Sequence, residues 1–274
     1  MPPEVSILVV SYNTLVDLER CLQSLHDTPP SISHEVVVID NASTDGSAAA
    51  VRSRWPKARL IALDSNVGFA RANNIGLRQT QSDLVLLLNS DTIVPPHAVD
   101  HLVRELRDLP GAAIVGPRLV NEAGAAELSF GRMMGPMAEL QQKFLQRIAG
   151  PRRIQELTSR PRRVDWVSGA CLLVRRADAE AVGLLDERYF MYCEDVDFCA
   201  SIRTRGGRVY FTPTAKVIHL RGRSVAANRK AVEVAHRKAH LAFYEKHHPA
   251  WAPVLRLYLA LQGKLPPKTA DKTG

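Results

Sequence analysis

The stretch that most constrains the fold is residues 84–92, where five consecutive apolar residues are followed at once by Asn89, Ser90 and Asp91. An apolar run of this kind, bounded by polar residues and then by Pro95-Pro96, is typical of a central strand buried on both faces in a parallel sheet. Asp91 then stands at the carboxyl end of a core strand. Open α/β sheets bind their ligands at that edge, so the stretch predicts a functional carboxylate as well as a strand.

Three apolar segments upstream repeat the pattern of a strand, a polar end and a helix. The predicted strands cover residues 5–10, 36–39 and 60–63. Each leads into a segment with helical character, which favours right-handed βαβ units around a mainly parallel sheet. The polar strand ends should then collect at one edge; they are Ser11-Tyr12-Asn13, Asp40-Asn41, residues 66–68 and residues 89–91.

The pattern is looser in the second half of the chain. Seven arginines fall within residues 130–163, which is typical of a solvated loop with a short helix near 137–148, or of a flap that meets an anionic acceptor or lipid headgroups. Further predicted elements are a helix at about 96–106, strands at 113–115, 164–174, 209–211 and 217–218, and a helix that ends at Arg205. Beyond Ala226 the sequence predicts basic helices, whose apolar residues either pack on the sheet or lie on a membrane surface.

The overall charge narrows the class of partner without deciding it. The formal net charge of +8 suggests an anionic partner, which leaves nucleic acid, a phosphorylated metabolite and an anionic membrane open. The four cysteines form no CxxC pair, so we expect reduced thiols in a cytosolic protein and no zinc site. We also expect no signal peptide and no membrane-spanning segment, hence a protein that is soluble or lies on a membrane surface.

Several residues at the strand ends have both a chemical and a structural interpretation. Asp91 can hold Mg²⁺ if a nucleotide diphosphate supplies the other ligands, or it can simply cap the following helix. Asp40 can accept hydrogen bonds from a base or ribose, or it can stabilise its own turn. Arg71 can reach a diphosphate or remain solvated. The GxGxxG spacing is absent after Val10, which argues against a nicotinamide dehydrogenase.

The densest acidic cluster is Glu194-Asp195-Val196-Asp197, at the predicted start of a helix. Carboxylates in a first helical turn are stabilised by the helix dipole, and many have no further role. The same placement suits a general base that accepts a proton from an acceptor hydroxyl. His219, at the end of a short strand, is compatible with a structural role or with a ligand role.

Taken together, these residues resemble the family 2 inverting glycosyltransferases with the GT-A fold, and especially their rhamnosyltransferase-like branch. The resemblance runs from Val5 to about Ser224 and rests on several motifs in a fixed order. They are VSYN at 10–13, VIDNASTDGS at 38–47, NVGFARANNIG at 66–76, LLNSDT at 87–92, WVSGACLLVRR at 166–176, YCEDVDFC at 192–199 and HLRGRS at 219–224.

The resemblance implies a role for individual positions. Asp195 is the expected catalytic base, with Glu194 as its neighbour, while Asp91 and His219 are the expected metal ligands for Mg²⁺ or Mn²⁺. Trp166 and Gly169 are expected to border the sugar and acceptor. The expected nucleotide-binding residues are Ser11, Asn13, Asp40, Asn66, Gly68, Arg71 and Asn89.

Three positions depart from the family pattern. Asn89 and Ser90 leave the metal motif with the single carboxylate of Asp91, which makes His219 more important. Leu185 stands where an aromatic residue is usual, and we expect that difference to affect packing.

The implied organisation has four parts and one principal function. We predict a donor-binding half at 1–120, a variable basic segment at 121–163, an acceptor and catalytic half at 164–224, and a helical extension with a tail at 225–274. The predicted α/β enzyme transfers L-rhamnose from dTDP-rhamnose to a cell-surface polysaccharide or lipid-linked glycan in the cytoplasm.

Other interpretations remain open at the level of sequence. The same fold could use a UDP-hexose or a UDP-furanose, because no residue in the motifs discriminates the sugar. A non-catalytic nucleic-acid-binding protein is the alternative of another class, although Asp40 and Asp91 in the predicted crevice would repel phosphates without a metal. Peripheral contact with the inner face of the plasma membrane and a homodimer are also left open.

Overall fold

Strands and helices alternate regularly up to Asp108 and less regularly afterwards. In the computed structural model, which describes residues 2–139, 151–220 and 229–266, the strands are β1 (Val5–Ser11), β2 (His34–Asp40), β3 (Arg59–Ala62), β4 (Leu84–Asn89), β5 (Thr92–Ile93), β6 (Ala112–Val120), β7 (Phe130–Gly131), β8 (Arg162–Val164), β9 (Trp166–Val167), β10 (Cys171–Arg175) and β11 (Arg208–His219). The helices are α1 (Leu15–Asp27), α2 (Ser47–Arg54), α3 (Phe69–Arg78), α4 (Ala98–Asp108), α5 (Pro151–Leu157), α6 (Arg176–Ala181), α7 (Glu194–Thr204), α8 (Arg229–His247) and α9 (Ala252–Leu261).

One mixed sheet spans both halves of the chain. Its order is β3, β2, β1, β4, β10, β6, β11, β5, and β8 pairs with the start of β11. The four strands β3, β2, β1 and β4 are parallel, as are β6 and β11, whereas β10 runs antiparallel between β4 and β6. The prediction of an α/β fold with a mainly parallel central sheet flanked by helices is confirmed, and the antiparallel β10 is an addition that the sequence did not indicate.

The apolar run at residues 84–88 is buried on both faces of the sheet, as its pattern predicts. Leu84, Leu86 and Leu88 pack on the side covered by α1 and α4, and Val85 and Leu87 pack on the side covered by α3 and α7. Successive side chains of a strand point to opposite faces, so a strand with helices on both sides needs apolar residues at every position. Strand β4 therefore lies in the centre of the core.

The register of the strands brings their polar ends to one edge of the sheet. Ser11 is paired with Asp40 across β1 and β2, and Val10 is paired with Asn89 across β1 and β4. On the far side of β4, the Asn89 backbone N–H donates to the Ala170 carbonyl at 3.0 Å. The predicted shared edge is confirmed, and it extends to the segment before β10.

Two strand predictions from the second half are wrong in detail. The single strand predicted at 164–174 is three short strands, because residues 168–170 form a turn that carries the chain from the β7–β9 pair into the main sheet. Conversely, the two short strands predicted at 209–211 and 217–218 belong to the continuous strand β11, whose register with β6 shifts between Thr212 and Lys216. A helix predicted near 137–148 falls largely outside the described residues.

The helical extension attaches to residues 189–196 through a separate apolar cluster. Ala239, Phe243 and Tyr244 of α8 pack with Tyr189 and Val196. In the described ranges, no helix is long and apolar enough to cross a membrane.

Candidate active site

Asp91 and His219 meet at the sheet edge although 127 residues separate them in the chain. Asp91 follows β4 directly, and His219 ends β11, which pairs with β5 so that His219 lies opposite Thr92. The Leu220 backbone N–H donates to the Asp91 carbonyl at 2.8 Å, and His219 Nε2 lies 3.3 Å from Asp91 Oδ1. Asp91 and His219 therefore lie together because β11 pairs with β5, as the resemblance of their motifs to the family implied.

The pair has a geometry that fits a divalent cation. Two ligands about 2.1 Å from a metal and at right angles to each other are about 3 Å apart, close to the observed Nε2 to Oδ1 distance of 3.3 Å. Glu127 Oε2 lies 3.7 Å from the other ring nitrogen, Nδ1, where a carboxylate favours the tautomer that leaves Nε2 free to bind a metal.

The protein supplies only part of a metal's coordination sphere here. Within residues 2–139, 151–220 and 229–266, no group of three or more His, Cys, Asp or Glu side chains is arranged to hold a metal ion. Asp91 and His219 alone therefore make an incomplete site, which suits a Mg²⁺ or Mn²⁺ ion that also binds substrate phosphates.

Asp195 is held beside the same edge by backbone N–H groups. Its Oδ2 accepts a hydrogen bond from the Gly169 N–H at 2.8 Å, and its Oδ1 accepts one from the Val196 N–H at 2.8 Å. A Cβ added at Gly169 would lie 3.1 Å from Asp195 Cβ, so a larger residue would press on the aspartate. Since Ala170 pairs with Asn89, this contact carries Asp195 to the end of β4.

Glu194 and Asp195 form a buried pair of unequal acids. Burial and the neighbouring Asp195 carboxylate raise the pKa of Glu194 from 4.5 to about 8. Burial also raises the pKa of Asp195, but its two N–H donors stabilise the carboxylate and oppose that change. Asp195 is accordingly the member of the pair that ionises first, and Glu194 holds its proton to higher pH.

Two predicted nucleotide-binding residues have buried oxygen atoms without a hydrogen-bond partner among the described residues. Asp40 is 2% exposed; its Oδ2 accepts from the Ser43 N–H, whereas its Oδ1 has no partner. Asn89 Oδ1 is likewise buried and unpartnered. Leaving a buried polar atom unsatisfied costs about 1–3 kcal/mol, so both oxygens are suited to accept hydrogen bonds from a ligand.

Ser11 and Asn13 instead hold the neighbouring loops together. The Ser11 hydroxyl is fully buried and bonds to that of Thr14, which bonds in turn to that of Ser90. Asn13, whose φ of +52° lies in the left-handed region, accepts from the Thr44 N–H through Oδ1 at 2.8 Å. The structure thus gives both residues positioning contacts between the strand ends.

Asn66 and Gly68 also make contacts within the protein. Asn66 Oδ1 accepts from Asn41 Nδ2 and from the Gly68 N–H. Gly68 has a φ of +85°, and a Cβ there would lie 2.5 Å from the Phe190 carbonyl oxygen. This close approach joins the loop before α3 to the segment that leads into Glu194.

Arg71 and Trp166 each contact other parts of the protein. Arg71 is largely exposed, and its Nε lies 3.6 Å from Glu187 Oε2. Trp166 donates from Nε1 to the Arg132 carbonyl at 2.9 Å and covers Gly131, while β9, which begins at Trp166, packs against α7. Trp166 therefore links the basic segment to the helix that begins at Glu194.

Sequence reasoning missed the role of Asp197, the last acid of the cluster. Asp197 is 1% exposed and accepts hydrogen bonds from Lys246 Nζ at 2.8 Å, from Tyr189 Oη at 3.2 Å and from His247 Nε2 at 2.6 Å. These bonds tie α8 to α7, two residues from Asp195. Glu127 was missed as well, since an isolated glutamate in a loop gives no signal of the histidine it approaches.

A mainly parallel sheet in this strand order, covered by helices on both faces, is the sheet of the GT-A fold. A mannosyltransferase from Pyrobaculum calidifontis, solved in complex with GDP-Man and Mn²⁺, has a similar fold, with a TM-score of 0.64, 21% identity and coverage of 97% of this chain and 73% of that one.

The sequence comparisons identify the family. The profile of Glycosyl transferase family 2 matches residues 6–183. N-acetylglucosaminyl-diphospho-decaprenol L-rhamnosyltransferase of Mycobacterium tuberculosis is 32% identical over 94% of this chain and 91% of its own length. Rhamnosyltransferase WbbL of Escherichia coli is 43% identical over 20% of this chain and 21% of its own length. The chain belongs to glycosyl transferase family 2, and within it to the rhamnosyltransferase-like glycosyltransferases.

Proposed function

We propose that this protein transfers L-rhamnose from dTDP-rhamnose to a hydroxyl group of a lipid-linked glycan, with inversion at the anomeric carbon. Similarity over most of the chain to an enzyme named as a rhamnosyltransferase acting on a decaprenol diphosphate sugar supports the sugar and the kind of acceptor. The observation that carries the chemistry is the position of Asp195, which Gly169 holds beside the end of β4.

In this proposal the donor lies along the shared strand edge. Asp40 Oδ1 and Asn89 Oδ1 are unpartnered acceptors that can take hydrogen bonds from the base and the pentose of the nucleotide. Asp91 and His219 would hold Mg²⁺ or Mn²⁺. Such an ion, when bound, stabilises the negative charge of the departing diphosphate. Arg71 lies near the nucleotide and would exchange its contact with Glu187 for the diphosphate.

Asp195 acts on the acceptor. Its carboxylate takes the proton of the acceptor hydroxyl while that oxygen bonds to the anomeric carbon and the bond from that carbon to the diphosphate oxygen breaks. A single displacement of this kind inverts the anomeric centre, through an oxocarbenium-like transition state. The raised pKa of Asp195 makes it a stronger base, provided it is still ionised at the working pH. Protonated Glu194 adds no second negative charge beside it.

We also propose that residues 1–120 bind the donor, that 164–224 supply the base and acceptor contacts, including Trp166 and Gly169, and that the basic segment 121–163 lies between them. We propose a cytoplasmic location, which is supported by the four cysteines: all are free and buried, as expected for a reducing compartment. The carboxylates at the strand edge disfavour nucleic acid as a ligand.

A donor screen tests the proposal. The full chain with Mn²⁺ is mixed with dTDP-rhamnose, UDP-hexoses and a UDP-furanose, and both the thermal shift and the acceptor-dependent release of nucleoside diphosphate are measured. We expect dTDP-rhamnose to give the largest shift and the fastest release. A larger response to a UDP-sugar would contradict the donor assignment.

The metal assignment has a separate test. Asp91→Asn removes the motif carboxylate while keeping its size, so it should raise the Mn²⁺ concentration needed for half-maximal release by at least about tenfold. Unchanged Mn²⁺ dependence in this variant, or full activity of the parent in excess EDTA, would exclude the site at Asp91 and His219.

A further inference from the structure

Helix α9 is apolar on both of its faces. Ala252 and Leu259 are buried, and Leu255 packs against the apolar cluster that includes Tyr189 and Phe243. The outward residues are also large and apolar, with Leu257 62% and Leu261 80% exposed. Trp251, Val254, Tyr258 and Leu265 are exposed along the same segment. Apart from Arg256, which pairs with Glu245, α9 is apolar on all sides. A helix of this kind belongs in an apolar environment, and the described part of the chain covers only one side of it.

The C-terminal part of the sequence, which contains α9, is basic. From residue 229 to residue 274 the sequence has nine Lys and Arg against three Asp and Glu. Arg237, Lys246 and Arg256 are in ion pairs, whereas Lys264 lies three residues after the end of the helix. An apolar stripe flanked by cations, with Trp and Tyr among its exposed residues, has the composition of a helix that lies in the interface of an anionic bilayer.

Helix α9 is attached to the half of the protein that carries Asp195. It packs against α8, and α8 is joined to α7 through Lys246 and His247, both bonded to Asp197. Lys246 Nζ also donates to Asp186 Oδ2 at 2.8 Å. Whatever binds α9 is therefore connected, through α8, to helix α7. Asp195, the proposed base, lies in the first turn of α7.

We infer that the exposed face of α9 docks on a bilayer that contains anionic lipid. Leu257, Leu261, Tyr258 and Trp251 enter the interface, and Lys264 contacts the headgroups. The inference rests on the proposed function in one respect: a lipid-linked acceptor gives the enzyme a reason to work at a membrane.

A second copy of the chain fits the same face less well. Lys264 and the excess of Lys and Arg over Asp and Glu in the C-terminal sequence would repel the same charges on a second copy, whereas an anionic surface attracts them.

Vesicle flotation of the full chain tests the inference without requiring activity. Vesicles of phosphatidylcholine with phosphatidylglycerol are compared with vesicles of phosphatidylcholine alone. We expect binding to the anionic vesicles that weakens as salt is raised. Leu257→Glu with Leu261→Glu places two charges in the interface and should lower the partition coefficient by about tenfold or more.

Val16→Glu with Ala49→Glu is the matched control, because Val16 on α1 is 60% exposed and Ala49 on α2 is also exposed. The control should bind as the parent does, and both variants should keep the parent's melting temperature and its thermal shift with dTDP and Mn²⁺. Three results would overturn the inference. They are no flotation of the parent, equal flotation of the α9 variant and the parent, and a parent dimer that becomes monomeric in the α9 variant but not in the control. None of these results affects the donor screen, so failure of docking is distinguishable from failure of the proposed function.

Discussion

Two sets of polar residues line the same sheet edge, and they differ in how completely their hydrogen bonds are satisfied. Asn13, Asn41 and Asn66 bond to one another's loops and, in the described part of the chain, leave no buried side-chain oxygen or nitrogen without a partner. Asp40, Asn89 and Glu194 each keep one buried oxygen without a partner in the described part of the chain. The first set builds the crevice, and the second set is left with the capacity to bind.

The state of their hydrogen bonds distinguishes residues that the sequence motifs did not distinguish. Unsatisfied buried oxygens persist only where the rest of the fold compensates for their cost, and such positions concentrate at functional sites. The difference therefore predicts that changes at the binding set reduce catalysis with little effect on stability, while changes at the building set reduce stability first.

The largest expected effect is that of Asp195→Asn on turnover. Asparagine keeps the size of aspartate and still accepts the Gly169 N–H, but it cannot take a proton. Loss of a general base lowers the rate by about 10²–10⁴-fold. Acceptor-dependent release of nucleoside diphosphate measures this loss, and the melting temperature should stay close to that of the parent.

Asp108→Asn, at the exposed end of α4, is the control for that substitution and should have full activity. Turnover of Asp195→Asn within a few-fold of the parent would exclude Asp195 as the general base.

Gly68→Ala tests the building set through stability. Alanine there must adopt the left-handed φ of +85° and must also displace the Phe190 carbonyl, which its Cβ would approach to 2.5 Å. We expect a loss of about 2–4 kcal/mol in the free energy of unfolding, measured by urea denaturation.

Gly183→Ala provides the matched comparison, because Gly183 has a φ of +84° and no heavy atom within 4 Å of an added Cβ. It should lose only about 1 kcal/mol, the strain of the backbone alone. Equal losses in the two variants would mean that the contact between Gly68 and Phe190 contributes nothing to stability.

The smallest expected effect concerns the pH dependence of stability at Glu194. The folded pKa is raised to about 8 from 4.5, so the folded state holds a proton that the unfolded state releases between these values. The contribution of protonated Glu194 to the free energy of unfolding is complete below pH 4.5 and is lost as the pH rises towards 8. Glu194→Gln cannot ionise and should therefore lose less stability than the parent as the pH rises through this window.

Melting temperatures at about pH 5 and pH 8.5 measure this difference. Asp45, Asp186 and Glu187 have lowered pKa values, so they finish titrating below the window and do not mask it. Glu180→Gln, on the exposed side of α6, should follow the parent. A parallel pH dependence of Glu194→Gln and the parent would show that Glu194 is already ionised in the folded protein.

The sequence predicted the first half of the fold well, because its strands are local features with a clear apolar pattern. β4 is buried on both faces as its run of five apolar residues implied. The second half depends on pairing between distant segments, which no local pattern reveals. β10 inserts antiparallel between β4 and β6, and β11 continues through a shift in register that looks like a break in the sequence.

The candidate site divides in the same way. The juxtaposition of Asp91 and His219 was expected only because the motifs resemble a family, since their contact is created by the pairing of β11 with β5. The sequence could not predict three other features, because each depends on contacts between distant segments. They are the contact of Gly169 with Asp195, the unpartnered oxygens, and the bonds from Asp197 to Lys246 and His247. The roles of these residues in binding and transfer stay predictions.

The central claim is that Asp195 drives a single displacement on the sugar of a nucleotide donor. The most direct test is NMR of the anomeric proton of the product formed by the full chain from dTDP-rhamnose and a lipid-linked acceptor. The account predicts a product whose anomeric configuration is opposite to that of the donor. Retention of the donor's configuration would contradict it, because a single attack by an acceptor oxygen cannot retain that centre.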